Sequence, residues 1–280
     1  MSPETRIRTI SGIVLAAVVL AATWAGGLVF SLLAALISIL IFFEWSTITG
    51  HSPRSRLTAF GYAAVAIVAL EYVFRGPSSG YFTSLLLLLG FTVVAVVLAA
   101  VKGRGYWLAG GIFYAGLSGI SLAALRGSDR DGLVTMLFIF AVVWATDIFA
   151  YFIGRAIGGP KLAPPISPGK TWSGAIGGTL ASVLAGLAVV YLAGEPVGFG
   201  LVAVILLLSI ASQIGDLFES WIKRRFGVKD SSRLIPGHGG VMDRVDGLVS
   251  ACFVAFLVGL ALSAANGGVI NGVNSLATGW

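Results

Sequence analysis

Charged residues are scarce in this sequence. Only 30 of its 280 residues are Asp, Glu, Lys or Arg, which is 11%, whereas a soluble globular domain carries about 25%. So few ionic side chains could hardly cover a water-facing surface, and this excludes a soluble enzyme, a disordered chain and a nucleic-acid-binding module. What the chain has instead is apolar, with 57% hydrophobic residues and a mean hydropathy of +0.96. This composition indicates a polytopic membrane protein.

Cysteine and histidine are almost absent as well. Cys252 is the single cysteine, so no intramolecular disulfide can form. His51 and His238 are the only histidines, and their number and spacing exclude a zinc site. Acidic residues are fewer than basic ones, and the net charge is +6. In a membrane protein such an excess is expected, because basic loops fix the orientation of the helices.

Nine apolar runs are long enough to cross a bilayer as helices. They cover about 8–24, 27–45, 57–74, 81–101, 106–125, 132–153, 174–193, 199–222 and 247–265. The runs are too long for membrane strands and lack the alternation of a β-barrel. We therefore expect an all-α, polytopic integral membrane protein.

The basic residues are divided unevenly between the two sides that nine spans define. If the N-terminus is cytoplasmic, 15 Lys and Arg residues fall in cytoplasmic segments and only three, Arg75, Arg126 and Arg130, fall outside. Positive charge favours the cytoplasmic side. We therefore expect a protein of the cytoplasmic membrane with its N-terminus in the cytoplasm.

The connections between the runs predict three parts. Residues 1–130 hold helices 1–5, with short connections and few ionisable groups. Residues 131–265 hold helices 6–9, with long polar connections, and are expected to be the catalytic part; residues 216–246 alone carry 11 of the 30 charges. Residues 266–280 are rich in Gly, Asn and Ser, and are expected to be a flexible tail.

An intramembrane carboxylate near the end of helix 8 is the first candidate functional group. Ser209, Ser212, Asp216, Glu219 and Lys223 are spaced by three or four residues, so they share one helix face. A carboxylate at this depth usually faces a bundle interior or a wet cavity. Asp216 and Lys223 are therefore candidate catalytic residues, and an ion pair with a neighbouring helix is the structural alternative for Asp216.

Asp243 and Asp246 lie three residues apart where helix 9 could begin, and would then share one side of it. With Asp216 they could form a three-carboxylate oxygen site, which suits Mg²⁺ and could hold two metal ions. Capping of the helix N-terminus by acidic residues is the alternative.

A glycine-rich turn precedes these aspartates, at Pro236–Gly240. Three glycines in four residues allow the backbone N–H groups to wrap around an anion. His238, Gly239 and Gly240 are therefore candidate ligands of a phosphate or diphosphate. A simple turn with an incidental histidine is the alternative.

The connection between helices 6 and 7, Lys161–Trp172, is rich in proline. Its Gly-Lys-Thr resembles the end of a Walker A motif, but Pro164 stands where the first glycine is required, and no strand precedes it, so a P-loop is excluded. The prolines predict a stiff loop that presents Ser167, Lys170 and Thr171 to an anion. The alternative is that Lys161 and Lys170 only keep this loop on the cytoplasmic side of the membrane.

Asp147, inside helix 6, is a second intramembrane acid, for which metal support, nucleotide contact and helix pairing are all open. The cations near the acidic residues are Lys170, Lys223, Arg224, Lys229, Arg233 and Arg244. This inventory fits phosphoryl or nucleotidyl transfer, because such chemistry depends on positioning and on neutralising charge.

The segment from Ser220 to Asp246 resembles the pattern of the phosphatidate cytidylyltransferase (CDP-diacylglycerol synthase) family. In this chain it reads S-x-I-K-R-x4-K-D-x-S-x2-I-P-x-H-G-G-V-x-D-R-V-D over 27 residues. The segments K-L-A-P at 161–164 and I-S-P-G-K-T-W at 166–172 resemble the preceding loop of the same family. Two positions depart from it: Ser173 replaces a frequent Glu or Gln, and Ile148 a frequent Ser or Thr, so family roles at those positions do not carry over.

The resemblance implies a Mg²⁺-dependent enzyme that converts CTP and phosphatidate into CDP-diacylglycerol and diphosphate. It implies that Asp216, Asp243 and Asp246 hold metal in a polar cavity open to the cytoplasm and to lipid. The cations named above would then screen the repulsion between the two polyanionic substrates. The expected partners are CTP, phosphatidate and the lipid bilayer, with no nucleic acid, and a homodimer is left open.

Two other functions compete with this interpretation. An ion-coupled transporter could use Asp147 and Asp216 as coupling sites, but the chain has no inverted halves, and its polar residues crowd one side of the membrane. A CDP-alcohol phosphotransferase would need a D-G-x2-A-R pattern, which the sequence lacks.

Overall fold

A computed structural model describes residues 3–75, 81–103 and 105–265 of the chain. The predicted tail at 266–280 lies outside the described residues. The helices are α1 (Pro3–Ala25), α2 (Gly27–Ile48), α3 (Arg56–Arg75), α4 (Phe82–Lys102), α5 (Tyr106–Arg126), α6 (Arg130–Ile157), α7 (Trp172–Leu192), α8 (Phe199–Arg225) and α9 (Met242–Ala265). Within the described ranges, nine helices are long and apolar enough to cross a membrane. The prediction of an all-α, polytopic membrane protein is confirmed.

Polar residues mark the helix ends that apolar runs alone do not reveal. The side chain of Asp129 accepts a hydrogen bond from the N–H of Gly132 at 2.9 Å and caps the start of α6. Helix α9 begins at Met242, five residues before the predicted apolar run, because its opening residues include the charged Asp243, Arg244 and Asp246. Asp243 and Asp246 therefore both lie in the opening turns of this helix.

A short β-hairpin follows α6, where the sequence predicted only a stiff loop. Strand β1 (Lys161–Ala163) pairs antiparallel with β2 (Ser167–Thr171), with Lys161 opposite Thr171 and Ala163 opposite Ser167. Pro164 and Pro165 occupy the turn, where the absence of an N–H group carries no penalty. The hairpin leads directly into α7 and so fixes where Lys170 stands relative to that helix.

The described residues pack as two compact units, the first within 1–128 and 226–244, the second within 129–225 and 245–280. In the first unit, α5 is the central helix and packs against α2, α3 and α4. The Trp45 indole donates a 2.7 Å hydrogen bond to the carbonyl of Trp107 and stacks on Tyr114. The sequence predicted a catalytic part at residues 131–265. That division is defined by function, and it stays a prediction.

In the second unit, α7 packs closely on α6 through small residues. Its buried face carries Gly174, Gly178, Ser182 and Gly186, four residues apart. This spacing lets two helix backbones approach closely. Helices α8 and α9 also approach through glycine, since a Cβ atom on Gly247 would lie 3.2 Å from the carbonyl oxygen of Ser212.

Candidate active site

An ion pair joins the β-hairpin to α8 in the second unit. The Lys170 ammonium lies 2.5 Å from Asp216 Oδ2, and both side chains are about one-third exposed. Ser220, one turn further along α8, donates to Asp216 Oδ1 at 3.4 Å. The structure thus brings together two predicted site residues that are 46 positions apart. The partner of Asp216 comes from β2, and not from a neighbouring helix as the structural alternative supposed.

A second ion pair lies one turn further along α8. Lys223 donates to Glu219 Oε2 at 2.9 Å, and the Glu219 side chain is only 1% exposed. The Glu219 side chain also lies within interaction distance of the Asp246 carboxylate of α9. Lys223 and Asp246, both predicted site residues, are therefore linked through a glutamate that the sequence analysis did not select as a site residue.

Asp147 of α6 belongs to the same group of charges. Its carboxylate interacts electrostatically with Asp216, Asp246 and Lys170. The Asp246 carboxylate in turn interacts with Asp216 and Lys223. Four carboxylates, counting Glu219, thus share this region with two lysines, so by formal charge the group has two negative charges in excess. We refer to these six residues as the charged cluster.

A chain of hydroxyl and amide groups connects the helices that carry the charged cluster. Thr146 of α6 bonds to Ser209 of α8 at 2.8 Å, and Ser209 donates to Thr179 of α7 at 3.1 Å. The Gln213 amide also donates to Thr179, at 3.0 Å. These bonds satisfy polar groups between the helices and fix the spacing at which Asp147 and Asp216 are presented.

The other predicted residues of the hairpin have different surroundings. The Thr171 hydroxyl accepts from the N–H of Gly174 at 3.2 Å and caps α7. Ser173, at one of the positions that depart from the family pattern, donates to the carbonyl of Gly158 at 2.5 Å. Ser167 is half-buried at the start of β2. Direct contact of Ser167 or Thr171 with a substrate stays a prediction.

In the first unit, Asp243 holds the segment that precedes α9. Its Oδ2 atom accepts from the N–H of Ser231 at 2.9 Å, from the Ser231 hydroxyl at 2.8 Å and from the N–H of Gly240 at 2.8 Å. The bond from Gly240 is of the kind expected for an acidic residue in the first turn of a helix. Asp243 stands in the first turn of α9, where a carboxylate is favourable, as the alternative supposed, and its metal role stays a prediction.

The residues on either side of the glycine-rich turn bind an anion, and that anion belongs to the chain itself. Glu44 of α2 is fully buried and accepts from the N–H groups of Val241 and Met242 at 2.8 and 2.6 Å. The hydroxyls of Ser232 and Ser231 donate to it at 2.6 and 3.1 Å. The sequence analysis missed Glu44, although a lone acid inside an apolar run was a signal that could have found it.

His238 lies against α1 in the first unit. Its Nδ1 atom is 2.8 Å from the hydroxyl of Ser11. The turn is closed by bonds from the N–H of His238 to Ile235 and from the N–H of Ile235 to Gly239. Gly237 and Gly239 have φ values of 77° and 85°, which residues other than glycine rarely adopt. A phosphate contact by His238, Gly239 or Gly240 stays a prediction.

The remaining predicted cations lie towards the surface. Arg224, Lys229, Arg233 and Arg244 are exposed, and the Arg244 guanidinium donates to the carbonyl of His238 at 3.0 Å. Because these cations are exposed, a polyanion can reach them from solution.

The donor set of the charged cluster fits a magnesium ion. Mg²⁺ is usually bound through one or two carboxylates together with water and substrate phosphates, and Asp216 and Asp246 supply two carboxylates in one unit. Within residues 3–75, 81–103 and 105–265, no group of three or more His, Cys, Asp and Glu side chains has metal-binding geometry. Two carboxylates alone would not complete the coordination of such an ion, so water and substrate oxygens would have to supply the remaining ligands.

Fold and site together define a polytopic membrane protein with a cluster of charged residues on its helices and hairpin. Comparison with known proteins gives the family. Residues 6–262 match the model of the cytidylyltransferase family, and the chain belongs to that family.

Three relatives are phosphatidate cytidylyltransferases, and two of them are similar over most of the chain. A phosphatidate cytidylyltransferase of Brucella abortus is 49% identical over 261 residues, which cover 91% of this chain and 93% of the relative. One from Staphylococcus saprophyticus is 34% identical over 92% of this chain and 98% of the relative. One from Haemophilus influenzae is 47% identical over 144 residues, half of each chain.

Proposed function

We propose that this chain is a membrane-embedded nucleotidyltransferase that makes CDP-diacylglycerol and diphosphate from CTP and phosphatidate. The observation that carries the proposal is the 49% identity to a phosphatidate cytidylyltransferase over 91% of the chain. The charged cluster supports it, because two lysines and several carboxylates beside half-buried polar groups suit the transfer of a nucleotidyl group between polyanions.

The reaction requires little acid–base chemistry from the protein. A phosphate oxygen of phosphatidate attacks the α-phosphorus of CTP, and a new P–O bond forms there. The bond between the α-phosphorus and the oxygen that bridges it to the β-phosphorus breaks, and diphosphate leaves with the electron pair. Because the attacking oxygen is already anionic, the main obstacle is the repulsion between two polyanions.

The chain's cations are proposed to reduce that repulsion. Lys170 and Lys223 lie within the charged cluster, at 2.5 and 2.9 Å from the carboxylates of Asp216 and Glu219. The buried Glu219 carboxylate holds the Lys223 ammonium in a fixed position, and such preorganised charge costs no reorganisation during the reaction. Arg224, Lys229, Arg233 and Arg244 are proposed to bind substrate phosphates, together with Ser167, Thr171, His238, Gly239 and Gly240.

Magnesium is proposed as the cofactor, as one ion or two. Asp216 and Asp246 would hold it, with Asp243 as a third proposed ligand and Asp147 in support. When bound, Mg²⁺ supplies positive charge to the phosphate oxygens of the substrates.

We further propose that the protein lies in the cytoplasmic membrane with its N-terminus in the cytoplasm. The distribution of 15 against three basic residues supports this orientation. The polar cavity is then proposed to open towards the cytoplasm, where CTP is present, and towards lipid, where the acyl chains of phosphatidate remain. Reporter fusions at the N-terminus and in the connection between α8 and α9 test the orientation, since both should report the cytoplasmic side. Whether the chain forms a homodimer stays open.

The deciding experiment for the function uses purified protein in detergent or lipid vesicles. Radiolabelled CTP is supplied with phosphatidate, with and without Mg²⁺, and CDP-lipid is measured. We expect labelled CDP-diacylglycerol only when both substrates and the metal are present. No metal-dependent CDP-lipid from folded protein would contradict the proposal, whereas solute counterflow that persists after Asp243→Asn would favour a transporter.

A further inference from the structure

Glu44 lies in an arrangement unlike that of any other carboxylate in the described residues. It is fully buried and accepts four hydrogen bonds, two at each oxygen. Oε1 accepts from the Ser232 hydroxyl and the Val241 N–H, whereas Oε2 accepts from the Ser231 hydroxyl and the Met242 N–H. All four donors are neutral and belong to residues 231–242, which lie 187 to 198 positions further along the chain. A carboxylate of α2 therefore organises a segment that is remote in sequence.

The Ser231 hydroxyl connects Glu44 to Asp243. It lies 3.1 Å from Glu44 Oε2 and 2.8 Å from Asp243 Oδ2. A hydroxyl carries a single hydrogen, so that one proton serves both carboxylates. Any displacement of Glu44 therefore changes a bond that Asp243 also uses.

Close packing connects the same groups a second time. A Cβ atom on Gly240 would collide with the Ser231 hydroxyl and the Glu44 carboxylate, while the N–H of Gly240 donates to Asp243 at 2.8 Å. The backbone can pass between the two carboxylates only because this residue has no side chain. Glu44, Ser231, Gly240 and Asp243 thus form one packed group.

We propose that Glu44 is a positioning residue for Asp243. Its carboxylate fixes the conformation of residues 231–242 and, through Ser231 and Gly240, holds the Asp243 side chain in one orientation for the reaction. The inference rests on the proposed function for its kinetic consequence. Its structural consequence, the fixed conformation of the segment, does not depend on that function.

Glu44→Gln is the most direct test, because it keeps the size of the side chain and removes the charge. Each carboxylate oxygen accepts one backbone N–H, so in either orientation the new NH₂ group faces the N–H of Val241 or of Met242. A donor then meets a donor, and a buried N–H loses its acceptor. We expect hydrogen–deuterium exchange at the amides of 240–242 to quicken about tenfold or more. In the activity assay, kcat should fall about 10- to 100-fold, with a much smaller change in the KM for CTP.

Ser231→Ala tests the connection without removing the charge, and is informative even if Glu44→Gln does not fold. We expect a loss of kcat, and the double variant should be no slower than the slower single variant, because both changes break the same connection. Ser38→Ala is the matched control, since Ser38 lies in α2 as well and donates a buried 2.6 Å hydrogen bond to Ala115. It should lower the melting temperature and leave both the exchange at 240–242 and kcat unchanged.

The outcomes separate the two proposals. Wild-type protein that makes no CDP-lipid contradicts the proposed function, while the exchange measurement still tests the positioning of the segment. Active wild-type protein with unchanged exchange and kcat in Glu44→Gln or Ser231→Ala overturns the positioning role. Strictly multiplicative losses of kcat in the double variant would overturn the connection through Ser231.

Discussion

Lys170 of the β-hairpin and Asp216 of α8 form an ion pair in which Nζ lies 2.5 Å from Oδ2. Both side chains are partly exposed, so each can exchange this partner for a ligand without being left buried and unpaired. In contrast, Glu219 and Lys223 are 1% and 12% exposed and form a more permanent pair. The charged cluster therefore contains an ion pair that can open, Lys170–Asp216, and a buried ion pair that stays closed, Glu219–Lys223.

Asp216→Asn should abolish most of the turnover while the protein still inserts and folds. The substitution removes the charge that holds Lys170 and one of the two carboxylates that fit Mg²⁺. We expect the rate of CDP-lipid formation to fall about 100-fold or more, as for the loss of a preorganised electrostatic group. Elution as a single species on size-exclusion chromatography checks the folding.

Glu195→Gln is the matched control for this prediction. Glu195 belongs to the same unit and pairs with Arg130 at 2.6 Å. It follows the far end of α7, and a helix of 21 residues is about 30 Å long, so the substitution should not alter the charged cluster. Similar rates in Asp216→Asn and Glu195→Gln would remove Asp216 from the site.

The Glu219–Lys223 pair should contribute to stability in a way that depends on both partners. Glu219→Leu leaves the Lys223 ammonium buried without its carboxylate, and breaking a buried pair in this way costs about 3–5 kcal/mol in the free energy of unfolding. The double variant with Lys223→Leu should recover part of that loss, because the ammonium group is then removed together with its carboxylate partner. Unfolding in detergent with added SDS measures all three proteins.

An exposed pair of the same spacing provides the comparison. Glu71 and Arg75 are also four residues apart and lie 3.2 Å from each other, but the Arg75 side chain is 58% exposed. Glu71→Leu should change the free energy of unfolding by only about 0–1 kcal/mol. An equal effect of Glu71→Leu and Glu219→Leu would show that burial does not determine the contribution of these pairs.

Most of the fold could be predicted from the sequence because the helices coincide with apolar runs of bilayer length. The ends of the helices were harder to predict. Helix α9 begins at Met242, and its first residues include charged side chains that do not belong to an apolar run. The hairpin at 161–171 was missed because strands of three and five residues with three prolines nearby show no alternation. Local sequence patterns predict local structure, whereas the start of α9 and the hairpin at 161–171 depend on contacts with the rest of the chain.

The site was predicted in part for a similar reason. Asp216, Lys223 and Asp246 could be selected because they belong to a dense run of charges. Glu44 was missed because its partners lie 187 to 198 residues away, and spacing along one helix gives no sign of them. The pairing of Lys170 with Asp216 was equally beyond the sequence, since it depends on the register of the hairpin.

His51, between α2 and α3, should make the protein less stable in mild acid. Burial lowers the pKa of this imidazole below its usual 6.5, because the charged form is poorly solvated there. The unfolded chain therefore binds the proton more readily, and stability present above pH 6.5 is lost as the pH falls below it. Melting temperatures of wild type and His51→Gln between pH 5 and 8 measure the effect, and the variant should show the smaller slope. Equal slopes would contradict the assignment.

Gly178→Ala should loosen the contact between α6 and α7 and reduce activity through it. A Cβ atom at Gly178 would meet the carbonyl oxygen of Thr146, the residue before Asp147, and would lie 3.0 Å from the Cβ of Ala150. Overpacking of this kind costs about 1–3 kcal/mol, and any shift of α6 moves Asp147 relative to Asp216. Gly90→Ala is the matched control, because its Cβ would meet nothing within 4 Å and alanine favours a helix over glycine. We expect a lower melting temperature and slower CDP-lipid formation in Gly178→Ala alone; a wild-type melting temperature in that variant would contradict the close approach of the two helices.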